Sequence, residues 1–142
     1  MKVFIETSIF IRFLVRDNDK KLAECVSLFN LIEEGKLIPY ISNTVISEIL
    51  FVLTKIYKIS KFSALGDIEK IFNFRNITVI EKTNTPGSLS LFKKYSIKYG
   101  DCLIATQVPK GVAIVTYDTD FSKIPSVKSI PPAEIFNSDS VN

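Results

Sequence analysis

Histidine is missing from this sequence, and cysteine is nearly so. Its 142 residues contain no His and two cysteines, Cys25 and Cys102. Without histidine the chain has no common general base, no Ser-His or Cys-His nucleophile pair and no zinc site of the His type. The two cysteines form no Cys-x-x-Cys pair, so we interpret them as buried thiols rather than as a zinc or redox motif. Any chemistry must therefore use carboxylates, hydroxyls, lysines or arginines.

Long apolar stretches and targeting signals are also lacking. No uncharged apolar run approaches the roughly 18 residues of a membrane span. The opening residues MKVFIETSIF show no basic region followed by a cleavage site, so we expect a cytoplasmic protein without a membrane segment. Lysine plus arginine number 18 and aspartate plus glutamate 15, a net charge of +3. That charge is compatible with a polyanionic partner but does not by itself indicate one.

The composition predicts one globular domain. With 46% hydrophobic and 11% aromatic residues among 142, the chain is long enough to form a single packed core. The polar stretch NSDSVN predicts a disordered tail. The expected organisation is therefore a single domain over residues 1–136, followed by a tail over residues 137–142.

Short apolar runs alternate with helical patterns along the chain. The predicted strands are KVFI at 2–5, ITVI at 77–80 and VAIVT at 112–116, with IPYI at 38–41 as a weaker fourth. The predicted helices occupy residues 8–16, 20–35, 43–58, 61–74, 87–99 and 101–108. Because the strands are continuously apolar, the pattern predicts an α/β fold with a parallel sheet covered on both faces. In such sheets functional groups gather beyond the C-terminal strand ends, where the strand order reverses.

Two carboxylates follow predicted strands. Glu6 comes directly after the first strand, and Thr7 or Ser8 is expected to cap the helix that comes next. Asp118 follows VAIVT with only Tyr117 between. If these two strands are neighbours in the sheet, both carboxylates face one crevice.

Two further carboxylates lie on the apolar side of predicted helices. Glu48 projects beside the apolar stripe of the helix at 43–58, which consists of Val45, Ile49, Val52, Leu53 and Ile56. Asp101 shares one face of the next helix with Ile104, Ala105 and Val108. An ionised carboxylate at such a position costs several kcal/mol unless it is paired or bound to a cation.

Each of these acids also has a purely structural explanation. Glu48 can pair with a lysine seven residues further on, and Asp101 can cap its own helix. Asp118 and Asp120 suit a turn, and Glu6 suits the positive end of a helix dipole. The occurrence of four such acids in one chain favours a shared site over four separate explanations.

Converging carboxylates without histidine or thiolate favour a hard cation. Oxygen ligands suit Mg²⁺ or Mn²⁺ rather than Zn²⁺ or Cu²⁺. A cation of this kind favours hydrolysis of a phosphate ester, because it activates water, polarises the phosphoryl oxygen and stabilises the leaving oxygen. The sequence therefore predicts a Mg²⁺ or Mn²⁺ site formed by Glu6, Glu48, Asp101 and Asp118.

Four stretches of the sequence together resemble the PIN-domain family, in particular the VapC-type toxin ribonucleases of bacterial and archaeal toxin–antitoxin pairs. They are the first strand followed by Glu-Thr-Ser, SEILFVL at 47–53, YGDCLIAT at 99–106 and IVTYDTDFSKI at 114–124. The likeness runs from Met1 to about Pro132. It implies a Rossmann-like three-layer α/β/α fold with a mainly parallel central sheet. It also implies Mg²⁺- or Mn²⁺-dependent cleavage of RNA, frequent homodimerisation and inhibition by a small antitoxin protein.

The resemblance assigns roles to individual residues. It places metal-binding and catalytic carboxylates at Glu6, Glu48, Asp101 and Asp118. Thr7 or Ser8 matches the small polar residue beside the first acid, and Thr116 matches the one before the last acid. Asp120 corresponds to a less constant acid that is expected to cap the turn into Phe121. The family usually has Asp in place of Glu6, so slower turnover, a preference for Mn²⁺ and loss of activity all stay open.

Cationic residues near the acids are candidates for binding substrate phosphates. Arg12 and Arg16 are four residues apart on the helix that starts beside Glu6. Alternatively, Arg16 pairs with the acid that follows it, Asp17, or with the next one. A lysine cluster at Lys93, Lys94 and Lys98 is more simply explained as a solvated helix face.

Aromatic residues on the predicted helix at 61–74 have two explanations. Phe62, Phe72 and Phe74 are accounted for by core packing, and they also mark this helix as the expected contact for a dimer or an antitoxin.

Two other functions are compatible with the sequence. One is a PIN-like domain that has lost catalysis and serves as an RNA-binding or assembly module, which Glu6 favours. The other is a phosphatase of the Asp-x-Asp type that uses Asp118 and Asp120. The phosphatase is disfavoured because that motif ordinarily ends the first strand of its domain.

Overall fold

A parallel sheet of five strands forms the centre of the protein within residues 1–137, which are the residues that the computed structural model describes. The strands are β1 (Lys2–Ile5), β2 (Ile38–Ser42), β3 (Thr78–Ile80), β4 (Ala113–Val115) and β5 (Ser129–Ile130). Their order across the sheet is β3-β2-β1-β4-β5. The predicted tail at 137–142 lies outside the described residues except for Asn137.

Seven α-helices cover this sheet in the same part of the chain. They are α1 (Thr7–Val15), α2 (Asp19–Glu33), α3 (Asn43–Phe51), α4 (Lys61–Phe72), α5 (Thr85–Lys94), α6 (Tyr99–Gln107) and α7 (Pro132–Phe136). A π-helix at Val52–Ile56 and a 3-10 helix at Thr119–Lys123 complete the regular structure. The predicted three-layer α/β/α fold with a parallel central sheet is confirmed.

The strand order reverses at β1. After β1 the chain forms β2 and β3 on one side of the sheet, then returns to form β4 and β5 on the other side. Phe4 in β1 is opposite Tyr40 of β2 and Ile114 of β4. The C-terminal ends of β1 and β4 are therefore adjacent at a topological switch point, which is where such folds collect functional groups.

The central strand is covered on both faces. Val3, Phe4 and Ile5 of β1 are completely buried, as is Ile114 of β4. A parallel strand with helices above and below has no solvent face, and this explains why the run KVFI does not alternate with polar residues.

The predicted helix at 43–58 is not a single regular α-helix. The α-helical part ends at Phe51, and the backbone N–H of Tyr57 donates to the carbonyl of Val52, five residues back, at 3.1 Å. Because π-helical hydrogen bonds span one residue more than α-helical ones, the following side chains leave the phase of α3. Ile56, predicted on the buried stripe, is accordingly 60% exposed.

Several short elements also differ from the sequence prediction. The predicted helix at 87–99 ends at Lys94, because Tyr95 is extended, and α6 begins at Tyr99 rather than at residue 101. The pattern did not predict β5, the 3-10 helix or α7. Each of these is five residues or shorter, which is too short to show a hydrophobic period.

The aromatic residues of the 61–74 region divide between core and surface. The ring of Phe74 lies 4.8 Å from that of Phe29 and packs against the core, so core packing is confirmed for this residue. The core-packing explanation was wrong for Phe62 and Phe72, which are exposed at the surface. Phe62 is 83% exposed and Phe72 50% exposed.

Cys25 and Cys102 are buried free thiols, as predicted. Within the described part of the chain, no helix has the length and apolar character needed to cross a membrane.

Candidate active site

Glu6 stands at the junction of β1 and α1. Its backbone is extended, and its side-chain Oε1 accepts the backbone N–H of Ser8 at 3.0 Å, so Glu6 itself is the N-cap of α1. The predicted caps, Thr7 and Ser8, were wrong, because both already lie inside the helix. The same Oε1 accepts the hydroxyl of Thr116 at 2.6 Å. Glu6 is 3% exposed, and its carboxylate is therefore held in one orientation.

Hydrogen bonds of two hydroxyl groups connect the ends of β1 and β4. Ser8 Oγ accepts the backbone N–H of Tyr117 at 2.9 Å, and Thr116 Oγ1 accepts that of Asp118 at 2.9 Å. The two hydroxyl oxygens are 3.2 Å apart. Since the Thr116 proton is directed to Glu6, Ser8 is the donor in this pair. This network fixes the two strand ends from which Glu6 and Asp118 extend.

Replacing Thr116 with Val is expected to lower the free energy of unfolding by about 1–3 kcal/mol, or roughly 3–10 °C in melting temperature. Valine keeps the shape of this buried side chain but leaves the Asp118 N–H without its acceptor and leaves Glu6 Oε1 with one donor fewer. The matched control is Thr78→Val at an exposed position in β3, where the change should stay within about 0.5 kcal/mol. Equal melting temperatures for the two variants would show that the network contributes nothing.

Glu48 reaches the same region from α3. Its Oε1 accepts the hydroxyl of Thr7 at 3.1 Å, so α1 and α3 are connected directly at the site. Burial raises the pKa of Glu48, and the nearby charges of Glu6 and Asp118 raise it further, against the lowering effects of Thr7 and Lys98. No ion pair to the lysine seven residues further on is found among the described residues, which removes that structural explanation.

Asp101 is the most deeply buried acid of the group. It is 0% exposed, and neither carboxylate oxygen has a hydrogen-bond partner among the described residues. Its nearest cation is the Lys98 ammonium, 3.8 Å from Oδ1. Burial raises the pKa of Asp101 to about 7; Lys98 opposes this rise, while Asp118, Glu6 and Glu48 add to it. Lys98 occupies the N-cap of α6, so Asp101 is not the cap of its helix.

Three aspartates lie close enough to share one cation. Asp101, Asp118 and Asp120 each have a carboxylate oxygen within 4.8 Å of the other two. Asp118 Oδ1 accepts the backbone N–H of Asp120 at 2.9 Å and caps the 3-10 helix. The prediction that Asp120 is the cap was therefore wrong. Asp120 instead pairs with Lys123 at 2.9 Å.

Three of the four predicted acids line one cleft, and the fourth, Asp101, is buried beside one of them. Glu6, Glu48 and Asp118 line a cleft of about 270 Å³, and Asp118 also belongs to the aspartate group that contains Asp101. These residues come from the ends of β1 and β4 and from two helices. The cleft lies at the switch point of the sheet, where β1 and β4 are neighbours.

The donor set fits a hard divalent cation. Two buried carboxylate oxygens of Asp101 without hydrogen-bond partners are unfavourable in the isolated protein, and a cation beside them would satisfy both. The ligands on offer are carboxylate oxygens only, the type that Mg²⁺ and Mn²⁺ bind.

Of the two arginines predicted to bind phosphate, only one lines the cleft. Arg12 lines the cleft, where its guanidinium donates to Asp17 at 2.6 Å and to the Tyr57 hydroxyl at 3.1 Å. Arg16 is not among the residues that line the cleft. Its backbone is left-handed at φ 60°, and its guanidinium lies 5.4 Å from the centre of the Phe13 ring. The ion pair with Asp17 that was considered for Arg16 is formed by Arg12 instead.

The sequence analysis did not place two residues of the cleft, Lys98 and Tyr57, at the site. Lys98 was grouped with two lysines of α5, but it caps α6 and lines the cleft instead. Its spacing of three residues before Asp101 was the available signal for an ion pair. Tyr57 reaches the cleft only because the π-helix precedes it, and no sequence pattern marked that element.

Comparison with known protein families gives a match over most of the chain. The profile of a family described as PIN domain matches residues 3–127. No curated protein matches the sequence.

Two solved structures are similar in fold. One is VapBC2 from Rickettsia felis bound to a DNA fragment from their promoter, with a TM-score of 0.66 and 18% identity over 92% of this chain and 98% of that chain. The other is VapC20 from Mycobacterium tuberculosis, a Sarcin-Ricin loop cleaving toxin, with a TM-score of 0.62 and 14% identity over 89% and 97%. At such identities the likeness is one of fold.

Proposed function

Because the chain belongs to the PIN domain family, we propose that it is a metal-dependent endoribonuclease that hydrolyses RNA phosphodiester bonds as the toxin of a toxin–antitoxin pair. One observation carries this proposal: Asp101 is fully buried, neither of its carboxylate oxygens has a hydrogen-bond partner among the described residues, and two other aspartates each have an oxygen within 4.8 Å of it. A side chain in that state is suited to a cation and has no favourable structural role. The fold likeness to a toxin that cleaves the Sarcin-Ricin loop supports RNA as the substrate.

The carboxylates of the chain divide into two proposed roles. Asp101, Asp118 and Asp120 would hold Mg²⁺ or Mn²⁺, while Glu6 and Glu48 line the cleft that Asp118 also lines. A cation held by these residues would supply activation of water and neutralisation of charge on the phosphate. Magnesium ions commonly keep several waters, which leaves outer carboxylates free to hold those waters in place.

Glu48 is the best-placed proton acceptor. Its pKa is raised mainly by burial, so it binds a proton more readily than an exposed glutamate does. Thr7 holds one of its oxygens by the 3.1 Å hydrogen bond, which orients the carboxylate toward the cleft. Glu6, whose Oε1 is held by Thr116 and Ser8, contributes a further fixed negative charge to the cleft.

Arg12 and Lys98 are the proposed phosphate contacts. Both line the cleft, and both are cations, which a polyanion needs beside a group of carboxylates. The Arg12 guanidinium is held between Asp17 and Tyr57 and is therefore ready to present its remaining donors. The structure gives no support for a phosphate role of Arg16.

The wider biological context is part of the same proposal. We place residues 1–136 in one catalytic domain that acts in the cytoplasm, forms a homodimer and is inhibited by a small antitoxin protein. The fold likeness to a chain of a VapBC complex supports the toxin–antitoxin assignment.

Cleavage of single-stranded RNA by the purified protein is expected with Mn²⁺ or Mg²⁺ and should stop in EDTA. Asp118→Asn should reduce the rate by at least about 100-fold, because several kcal/mol of transition-state stabilisation depend on cation binding. Asparagine still accepts the Asp120 N–H and keeps the cap of the 3-10 helix. Asp67→Asn on α4, where the acid faces Lys70 instead, is the control and should leave the rate unchanged.

Two results would contradict the proposal. Cleavage that persists in EDTA and in Asp118→Asn would come from a contaminating nuclease. An intact protein that binds Mn²⁺ but cleaves no RNA would favour the catalytically impaired RNA-binding module. The observation in favour of that second candidate is Glu6, whose extra methylene, compared with the usual Asp, places Oε1 against Thr116 on the β4 side.

A further inference from the structure

A second groove adjoins the acidic cleft. Its volume is about 440 Å³, and Ser47, Phe51, Val52 and Ile56 line it from α3 and the π-helix. Glu48, Val52, Ile56 and Lys98 line both the groove and the cleft. The two therefore form one continuous surface, with the acids at one end and apolar side chains at the other. We refer to the apolar end as the Phe51 groove.

Large apolar side chains in the Phe51 groove are open to solvent. Phe51 is 59% exposed and Ile56 60% exposed, whereas Ile49 and Leu53 of the same segment are fully buried. The π-helix causes the exposure of Ile56, because it removes that side chain from the buried stripe of α3. Contiguous apolar surface beside a charged cleft indicates a binding surface rather than scattered exposed residues.

The charges at the border of the groove indicate what kind of group binds there. Lys98 stands between the groove and the cleft, with its side chain 61% exposed. Its ammonium lies 3.8 Å from Asp101 Oδ1, and Glu48 lines the groove beside it. The surface thus offers a cation for an anionic group and, next to it, an aromatic ring for a flat apolar group.

A nucleotide of single-stranded RNA has both parts. We propose that the Phe51 groove binds one unpaired base of the substrate by stacking on Phe51, next to a phosphate that contacts Lys98. The inference rests on the proposed nuclease function and specifies its substrate class. Bases stack on aromatic side chains in a manner that tolerates sequence, whereas a base inside a duplex has both faces covered by its neighbours. The groove would therefore select unpaired RNA over duplex RNA.

The chain offers a direct spectroscopic test, since it contains no tryptophan. F51W, made in the Asp118→Asn background with millimolar Mn²⁺, introduces a single fluorophore into the groove while the RNA stays intact. Titration with a single-stranded RNA oligonucleotide should quench its fluorescence, and the same sequence annealed to its complement should not. The matched control is F62W, at an 83% exposed position on α4 outside the groove, which should show no quenching.

Steady-state cleavage provides the second measurement. Phe51→Ala is expected to raise KM for a single-stranded oligonucleotide by about tenfold or more, with kcat changed much less, and Phe51→Tyr should restore KM. Phe62→Ala should behave as the unmodified chain does.

The outcomes separate the inference from the function on which it rests. If RNA is cleaved with metal but F51W is not quenched and Phe51→Ala leaves KM unchanged, the stacking site is wrong and the nuclease assignment stands. If Phe51→Ala changes the sedimentation of the protein instead of KM, the groove is covered by a second copy, and the inference is overturned. If the unmodified protein cleaves no RNA at all, the proposed nuclease function is wrong, and the inference that rests on it is overturned as well.

Discussion

Replacing Asp101 with Asn is expected to abolish RNA cleavage and, in metal-free buffer at pH 8, to raise the melting temperature of the protein. The loss of activity follows from the position of Asp101 in the aspartate group that would hold the cation. Metal ions contribute several kcal/mol to charge stabilisation in the transition state, so the rate should fall by about 100-fold to 10,000-fold.

The gain in stability has a separate physical cause. At pH 8 the Asp101 carboxylate is ionised and completely buried, with no hydrogen-bond donor among the described residues. Lys98 offsets only part of the cost of this burial, and the charges of Asp118, Glu6 and Glu48 add to it. Asparagine has nearly the same shape and no charge, so the electrostatic penalty disappears. We expect a gain of about 1–3 kcal/mol, or roughly 3–10 °C.

Differential scanning fluorimetry in EDTA and an RNA cleavage assay measure the two effects on one preparation. The control is Asp67→Asn on α4, where the acid lies 4.0 Å from Lys70 and faces no other carboxylate of the site. That variant should show neither effect. A lower melting temperature for Asp101→Asn would mean that the carboxylate stabilises the fold, and wild-type cleavage would remove Asp101 from the site.

Stabilisation by Mn²⁺ is expected to be large at pH 8 and small at pH 5.5. A cation needs the ionised form of its carboxylate ligands. With a pKa of about 7, Asp101 is ionised in only about one molecule in thirty at pH 5.5. The apparent affinity for Mn²⁺ should therefore fall about 30-fold between the two pH values. At a concentration 100 times the dissociation constant, Mn²⁺ adds about 2.7 kcal/mol to the free energy of unfolding.

The metal-free protein should show the opposite dependence on pH. The pKa of Asp101 is higher in the folded state, about 7, than its ordinary value of 3.8, so the folded state holds the proton more tightly. The stability that this group contributes is fully present below about pH 4 and is lost as the pH rises toward 7. Burial raises the pKa of Glu48 as well, which acts in the same direction.

Melting curves with and without millimolar Mn²⁺ at the two pH values test this prediction. Asp101→Asn should remove both the rise with Mn²⁺ at pH 8 and much of the decline in metal-free stability. An equal Mn²⁺ effect at both pH values would show that the cation binds elsewhere. No effect at pH 8 would favour the module without catalysis.

The parts of the fold that the sequence predicted are those with a strong local signal. The runs KVFI and VAIVT are continuously apolar, and both form buried parallel strands in the centre of the sheet. The π-helix after Phe51 gave no such signal, because its residues fit the period of α3 equally well. It places Val52 and Ile56 at the Phe51 groove.

The site residues likewise divide into those with a local sequence signal and those without one. Glu6, Glu48 and Asp101 stood out because each interrupts an apolar pattern, and a charge in such a place requires an explanation. Lys98 and Asp120 interrupt no pattern, so their places at the cleft and in the aspartate group depend on chain paths far apart in sequence. Arg16 was a reasonable candidate by spacing, but its left-handed backbone ends α1 and turns it away from the helix line.

By itself the sequence determined the class of fold, the strands at its centre and the kind of chemistry available, since a chain without histidine but with acids inside apolar segments has few alternatives. Only the tertiary structure decided which acids share a cation, which cations face them and where an aromatic ring stands beside them. The reason is physical: hydrophobic periodicity is a property of neighbouring residues, whereas the separation of two charges depends on how strands β1 and β4 and helices α3 and α6 meet.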